Sequence, residues 1–426
     1  MGPATSDATE FEDNGLVNTS AEVSLWQDRS PIGGADTAGL PAAAEVVIVG
    51  GGLLGVCCAY WLARRGRRPL LLERHSVAAG ATGRNSGLVI PTTALPYQDA
   101  VRIYGRGIAQ AVRQVALDGT ALLARIIEEE GISCDHRPGG LIQLALTEHE
   151  AARYAEEIRC GQADGFEPSW LDRGELARHV ATPLGERILG GLFLPGALTN
   201  SVALTDGIAV AARRSGAVIR TGWPVTAIHA GQGGAQVVTP AGPVQAGAVI
   251  VAANAWTSEL LPQLQNVITP VQGQMLATDP QPPIFAYGMA APLTAGGEYW
   301  QQTPDGTILL GGCRTVAAAP AEPRRQHPQP EVHEALVGVL PQIFPAMGPV
   351  KAVRGWAGAM AFTPDFLPVV DQLPGPVWAI GGFCGHGMPF GAIIASLVAD
   401  SIVTGIRASG LAPFSRDRPT LAPPHA

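Results

Sequence analysis

The chain has 426 residues, more than one hydrophobic core usually serves, so two domains are expected. Charged residues make up only 15% and the net charge is -8, which offers no basic face to nucleic acid or to an anionic membrane. Six cysteines without Cys-x-x-Cys spacing read as buried apolar residues of a reducing, cytoplasmic compartment, neither a disulfide framework nor a metal site.

Residues 1–40 are polar, acidic and rich in Pro, Gly and Ala, without the basic and apolar regions of a secretory signal. They read as a leader segment ahead of the first domain. Val46 to Val49 then form a short apolar strand that runs into Gly50, Gly52 and Gly55. A helix is predicted from Leu53 to Arg65, closed by Gly66, and a second buried strand runs from Pro69 to Glu73. This is a dinucleotide fingerprint in its full setting. Gly50 permits the tight turn, Gly52 lets a pyrophosphate approach the backbone, and Gly55 lets helix and strand pack closely. The phosphates would rest on the helix N-terminus, and Glu73 is placed to accept a hydrogen bond from a ribose hydroxyl. The uncharged stretch Val46 to Ala63 is long enough to span a bilayer, but its three consecutive glycines would break a spanning helix.

Gly80 to Gly87 follow as a loop of small residues, in which Thr82, Arg84, Asn85, Ser86 and Gly87 offer side-chain and backbone hydrogen bonds to a cofactor. Apolar positions at helical spacing (Val101, Ile108, Val112, Val115, Leu122, Leu123, Ile126) predict scaffold helices over about 100–130, ending at Gly131. A strand at 140–145, a helix at 148–161 and a helix at 205–215 come next. Short β runs are predicted at 217–220, 225–229, 235–239 and 248–252, and a β-rich region over 269–312. Val316 to Glu331 is a Pro/Ala/Arg segment, read as an exposed loop with a lid as the alternative. Near the C-terminus a helix is predicted from Pro389 to about Val403, preceded by Gly385-His386-Gly387. A helix N-terminus directed at the pyrimidine side of a flavin would stabilise its reduced, anionic form.

The fingerprint with Glu73, the Gly80 to Gly87 loop, the stretch Ala252-Ala-Asn-Ala-Trp256 and the motif Gly382-Phe-Cys-Gly-His-Gly387 together resemble the D-amino-acid-oxidase superfamily of flavoproteins. Within it the glycine, sarcosine and γ-glutamylputrescine oxidases are similar in pattern. The resemblance runs from about Ser24 to Gly405. It implies an α/β fold in which a Rossmann-like FAD-binding domain is built from discontinuous segments, here 41–135, 200–262 and 350–426. A substrate domain with a mainly antiparallel sheet would take 136–199 and 263–349. The cofactor contacts it implies also include Arg74, Val225, Ala252, Gly358, Gly385, Gly387 and Met388, with His386 beside the flavin. The implied reaction moves a hydride from the carbon of a C–N bond to flavin, leaving an imine that water hydrolyses, with O2 as acceptor. The implied partner is a small amine or an amino acid, N-substituted or not.

Three departures from the family pattern sharpen the reading. Gly358 stands where sarcosine-oxidase relatives carry the cysteine that attaches FAD, so the FAD is expected to be non-covalent, and Cys384 is the nearest thiol. Met360 stands where an arginine holds the substrate carboxylate, leaving Arg314 and Arg354 as replacements. Leu309 stands where a lysine activates oxygen. Tyr299 and Trp300 are aromatic candidates for the pocket wall or for core packing. A dehydrogenase using another acceptor, or a non-catalytic flavin-binding subunit of a hetero-oligomer, are the competing functions. A nicotinamide-dependent dehydrogenase would share only the first motif.

Overall fold

The structure is a computed structural model describing residues 23–30, 38–231, 233–318 and 321–421. Most of the expected leader therefore lies outside the described residues. Val23 to Ser30 do not: Leu25–Arg29 form a helix, α1, with Leu25 and Trp26 buried.

Among the described residues two sheets organise the chain. The first has eight strands. Its centre is β1 (Ala43–Val49), followed by helix α2 (Leu53–Arg64) and strand β2 (Leu70–Glu73). β1 pairs in parallel with β2 on one side and with Gly242–Val251 on the other; Val218–Thr221 and Val377–Gly381 extend the parallel sheet outward. Such a sheet is buried on both faces, and the alternation along β1 shows it. Val46 and Ile48 enter one core with α2 and the helices Ser201–Arg214 and Gly391–Thr404, while Val47 and Val49 enter a second with Leu261, Leu264 and Leu373.

The second sheet has nine strands and is mainly antiparallel. Thr269–Thr278, Gly288–Ala291, Glu298–Gln302 and Ile308–Gly311 form its middle, with Arg137–Ala145 and Gly190–Leu198 on one flank and Ala352–Phe362 at the opposite edge. Leu276, Trp300 and Leu310 pack on one face against the helix Pro330–Ile343. Met275, Leu309 and Trp356 join the α2 core on the other. Leu88–Val89 and Ala352–Phe362, which belong to the segments assigned above to FAD binding, both pair within this sheet. They carry the chain between the two sheets.

The helix before the C-terminus starts later than expected, at Gly391. Its first long-range turn bond runs from Ile394 N–H to the Phe390 carbonyl, so Phe390 occupies the cap and Pro389 the preceding turn. In the Val316 to Glu331 segment, Ala319 and Pro320 lie outside the described residues. The remainder is tied along Thr269–Thr278: Gln272 Nε2 donates to the Arg325 carbonyl at 2.6 Å, and Gln274 Nε2 to Gln329 Oε1 at 2.9 Å. Among the described residues no single helix is long and apolar enough to cross a membrane, although the bent pair Gly391–Thr404 and Ser409–Leu421 reaches that length and composition together.

His333, on Pro330–Ile343, is buried under Gly355, where any Cβ would strike its ring, and its Nε2 has no partner. Burial pushes its pKa down from 6.5 to about 4, against a hydrogen bond to the backbone at Trp356. Because the folded value lies below the unfolded one, the unfolded chain takes up the proton first. Stability is then full above pH 6.5 and falls as the pH drops towards 4. Urea titrations at pH 7.5 and pH 5 should differ by about 2 kcal/mol from this group, and His333→Gln should remove that difference.

Candidate active site

The nucleotide end is assembled by close backbone approach. Gly50 sits at φ 110°, donates to the Leu72 carbonyl at 2.9 Å, and leaves no room for a side chain: an added Cβ would lie 2.6 Å from the Ala252 carbonyl oxygen. Gly52 begins α2 without a side-chain cap. The Thr82 hydroxyl, 3.1 Å from the Leu53 amide, takes one of the first-turn donors, and the amides of Leu54 and Gly55 are left for a ligand. The Glu73 carboxylate folds over this turn, accepting from the Gly51 amide at 2.7 Å and the His75 amide at 2.8 Å. Arg74 lies 4.2 Å above the Trp256 ring, and Val225 packs against the same core as β1. A glycine-lined cradle, open helix amides and a carboxylate at the end of β2 suit the diphosphate and ribose of a dinucleotide.

The second part is the loop from Ala78 to Gly87, which contains the short helix α3 (Ala81–Arg84). Its carbonyls are held from outside. Trp356 Nε1 donates to Arg84 at 2.9 Å, the Ser201 hydroxyl to Thr82 at 2.7 Å, and Gln301 Nε2 to Ser86. Asn85 Oδ1 accepts from the Gly87 amide at 2.8 Å, which closes the turn. The Arg84 guanidinium donates to the Ala357 carbonyl at 3.2 Å and to Gln326 Oε1 at 2.7 Å. It thereby lies along Gly358, where a Cβ would come within 2.9 Å of Arg84 Cδ.

The third part gathers Tyr299, Arg314, Met360 and His386. The Tyr299 ring covers Gly311, where a Cβ would lie 2.7 Å from the phenol oxygen. Arg314 donates to the Gly296 carbonyl at 2.9 Å and stands 5.9 Å from the Phe362 ring; among the described residues no carboxylate pairs with it. Met360 reaches between Gly273 and Gly385. His386 Nδ1 is 3.0 Å from the Cys384 carbonyl oxygen, which only accepts, so the proton sits on Nδ1 and Nε2 keeps its lone pair. Burial and then the Arg314 charge hold the His386 pKa below its usual value, opposed by the bond to Cys384. Burial raises the Tyr299 pKa, and Arg314 pulls it the other way. The residue before this turn is equally fixed: Cys384 has φ 52°, its amide donates to Ala361 at 2.8 Å, and burial raises its thiol pKa.

A protein-family model described as FAD dependent oxidoreductase (DAO) matches residues 45–401. The chain belongs to this family. Gamma-glutamylputrescine oxidoreductase of Escherichia coli K12 is 26% identical over 378 residues, covering 86% of this chain and 85% of that protein. Glycine oxidase of Geobacillus kaustophilus is 25% identical over 379 residues, with 88% and 97% covered. Among solved structures, glycine oxidase from Geobacillus kaustophilus superposes with a TM-score of 0.76 at 24% identity, over 89% of this chain and 99% of that one. L-proline dehydrogenase from P. horikoshii gives 0.74 at 22% identity, with 87% and 96% covered. The protein is thus an FAD-dependent oxidoreductase, with the expected Rossmann-like domain and substrate domain.

Within this flavoprotein the residues named from sequence fall into distinct places. Gly50, Gly52, Gly55, Glu73, Thr82 and Ala252 surround one turn, and Arg84 touches Gly358 directly. Tyr299, Arg314 and His386 share one electrostatic environment. Arg354 stands outside this group: it pairs with Asp28 at 2.7 Å and donates to the Val23 carbonyl at 3.2 Å, so its charge is committed to α1. Sequence reasoning did not find Trp356, Gln301 and Ser201 as supports of the loop, because nothing in a linear pattern ties a tryptophan or glutamine to a carbonyl over two hundred residues away. Asp365 is a buried carboxylate that sequence reasoning did not single out. Its carboxylate takes Arg418 Nε at 2.6 Å, Arg418 Nη2 at 2.8 Å and the Thr420 hydroxyl at 2.6 Å, which clamps the turn beside Cys384. Burial alone would raise the Asp365 pKa, but Arg418 and Thr420 hold it below the ordinary range. Arg418→Ala leaves that carboxylate buried and unpaired and should cost about 3 kcal/mol in a denaturant titration at neutral pH.

Proposed function

We propose that this flavoprotein oxidises the C–N bond of a small amine or N-substituted amino acid to an imine, with O2 as the acceptor and non-covalent FAD. The observation that carries the reading is the neutral His386, whose Nδ1 is committed to the Cys384 carbonyl and whose protonation is opposed by the Arg314 charge that also acts on Tyr299. A substrate ammonium must lose a proton before its α-carbon gives up hydride, and a half-buried imidazole with a bare nitrogen is suited to take it. FAD, when bound, supplies the hydride acceptor. The chain's own residues then orient the amine: His386 holds the proton at Nε2, Tyr299 closes the wall over Gly311, and Met360 presents an apolar surface where a carboxylate clamp would stand. Arg314, exposed at the rim, suits an anionic group set apart from the reacting carbon. Glycine oxidase and gamma-glutamylputrescine oxidoreductase as relatives support amine chemistry.

One observation favours a second reading, a dehydrogenase with another acceptor. Leu309, in place of a lysine, is wholly buried in the core shared with α2 and puts no charge near the flavin site. Anaerobic mixing with a panel of amines, N-methyl amino acids, glycine and D-amino acids should bleach the flavin absorbance with one class, and admitted air should restore it rapidly. Bleaching without rapid recovery selects the dehydrogenase, and no bleaching by any member rejects the amine reading. His386→Ala should slow that reduction at least about a hundredfold while the melting temperature stays close to the parent. A folded, FAD-loaded variant reduced at the parent rate would contradict the assigned role.

The contact between Arg84 and Gly358 leaves no space for an attaching side chain at 358, and Cys384 is buried with its thiol beside the Thr363 amide at 3.5 Å. Acid or heat denaturation should therefore release all yellow colour into the supernatant, and colour retained on the protein band would count against non-covalent binding.

A further inference from the structure

We infer that α1, with its cap Ser24, is a positioning element for the flavin: it fixes the direction of the peptide groups in the Ala78 to Gly87 loop and so sets FAD affinity. The inference rests on the assignment of that loop to the flavin end of the cofactor. Four carbonyls of the loop accept hydrogen bonds from three side chains of this one segment, Ser24, Trp26 and Gln27. The Ser24 hydroxyl donates to Gly83, Trp26 Nε1 to Asn85 at 2.8 Å, and Gln27 Nε2 to both Ala78 at 3.2 Å and Ala79 at 3.1 Å. Gln27 serves twice, because its Oε1 also accepts from the Ser24 amide at 3.1 Å and closes the capping box that makes α1 a helix.

Across a planar trans peptide the N–H points opposite to the C=O. Carbonyls of Ala79 and Asn85 turned towards α1 therefore direct the amides of Gly80 and Ser86 away from it, on the side where a ligand can receive them. The loop cannot hold that arrangement unaided. Gly80, Gly83 and Gly87 give it wide conformational freedom, and ordering each residue costs about 1–2 kcal/mol. A Cβ at Gly83 would meet the Ala78 carbonyl and lie 2.9 Å from Gln27 Nε2, so the loop has been shaped around this contact. Buried Leu25 and Trp26 dock the helix, and the two charges at its C-terminal end tie it to the nine-stranded sheet: Arg29 donates to Asp305 and Thr307, and Asp28 accepts from Arg354. Trp356, two residues beyond Arg354, holds the loop from the opposite side. A loop ordered in advance spares the cofactor that cost when it binds.

Trp26→Phe keeps an aromatic ring and deletes one bond; Gln27→Leu keeps the bulk and deletes the two bonds to Ala78 and Ala79 together with the cap bond from the Ser24 amide. FAD Kd is measured by titrating apoprotein with FAD and following the quenching of flavin fluorescence. Each variant should raise Kd about fivefold, and the pair together more than tenfold. Val339→Ala, on the far side of the nine-stranded sheet, provides the reference: it lowers the melting temperature and leaves Kd as in the parent. Thr82→Ala tests the loop itself. Weakened binding in Thr82→Ala with parent-like Kd in both α1 variants would overturn the role of α1 while keeping the loop at the flavin; unchanged Kd in all three would overturn the loop assignment with it. A Kd that merely follows the melting temperature across all variants, Val339→Ala included, would reduce α1 to a structural part.

Discussion

The site depends first on how closely the turn after β1 approaches the strand beside it. With the Ala252 carbonyl 2.6 Å from where a Gly50 side chain would begin, backbone meets backbone, and the open amides of α2 are brought to the mouth of the sheet. Only a parallel sheet buried on both faces holds a turn that rigidly, and the division of β1 into Val46 and Ile48 for one core, Val47 and Val49 for the other, is how the sequence builds it. Glu73, Thr82 and the loop beyond them are placed by consequence.

The second sheet contributes through two crossing strands. Ala352–Phe362 carries, on one face, Trp356 to hold the loop, Gly358 to admit Arg84, and Met360 and Phe362 to line the pocket. Its other face receives His333 at Gly355. The Ala78 to Gly87 loop is therefore suspended between α1, this strand, Gln301 and Ser201, each holding a different carbonyl. Charge is sparse throughout, so buried ion pairs such as Asp365 with Arg418 and Arg113 with Glu157 act as fixed points and not as a general source of stability.

Much of this was legible in the sequence, for identifiable reasons. The β1 to β2 unit follows local rules, glycines at fixed spacing and an apolar run ended by an acid, and it stands within one residue of the expected bounds at the helix and second strand. Gly190–Leu198 was not foreseen, since Gly190, Gly191, Pro195 and Gly196 look like turn residues; it is a strand because its partners Arg137–Ala145 supply the ladder. Ala352–Phe362 escaped for the same reason, being rich in Ala and Gly. Arg354 appeared eligible for a substrate because its partner, Asp28, lies in a segment that read as a polar leader. Local chemistry was visible, and pairing across hundreds of residues was not.

Ala352–Phe362 also occupies the edge of its sheet. An edge strand of eleven residues rich in Ala and Gly is an open template for another chain, with little steric bulk to refuse it. Here two of its carbonyls are already engaged: Ala357 accepts from Arg84 and Ala361 from the Cys384 amide. Backbone acceptors that an incoming strand would need are thus spent on placing Arg84 and Cys384, so the edge and the candidate site draw on the same few peptide groups.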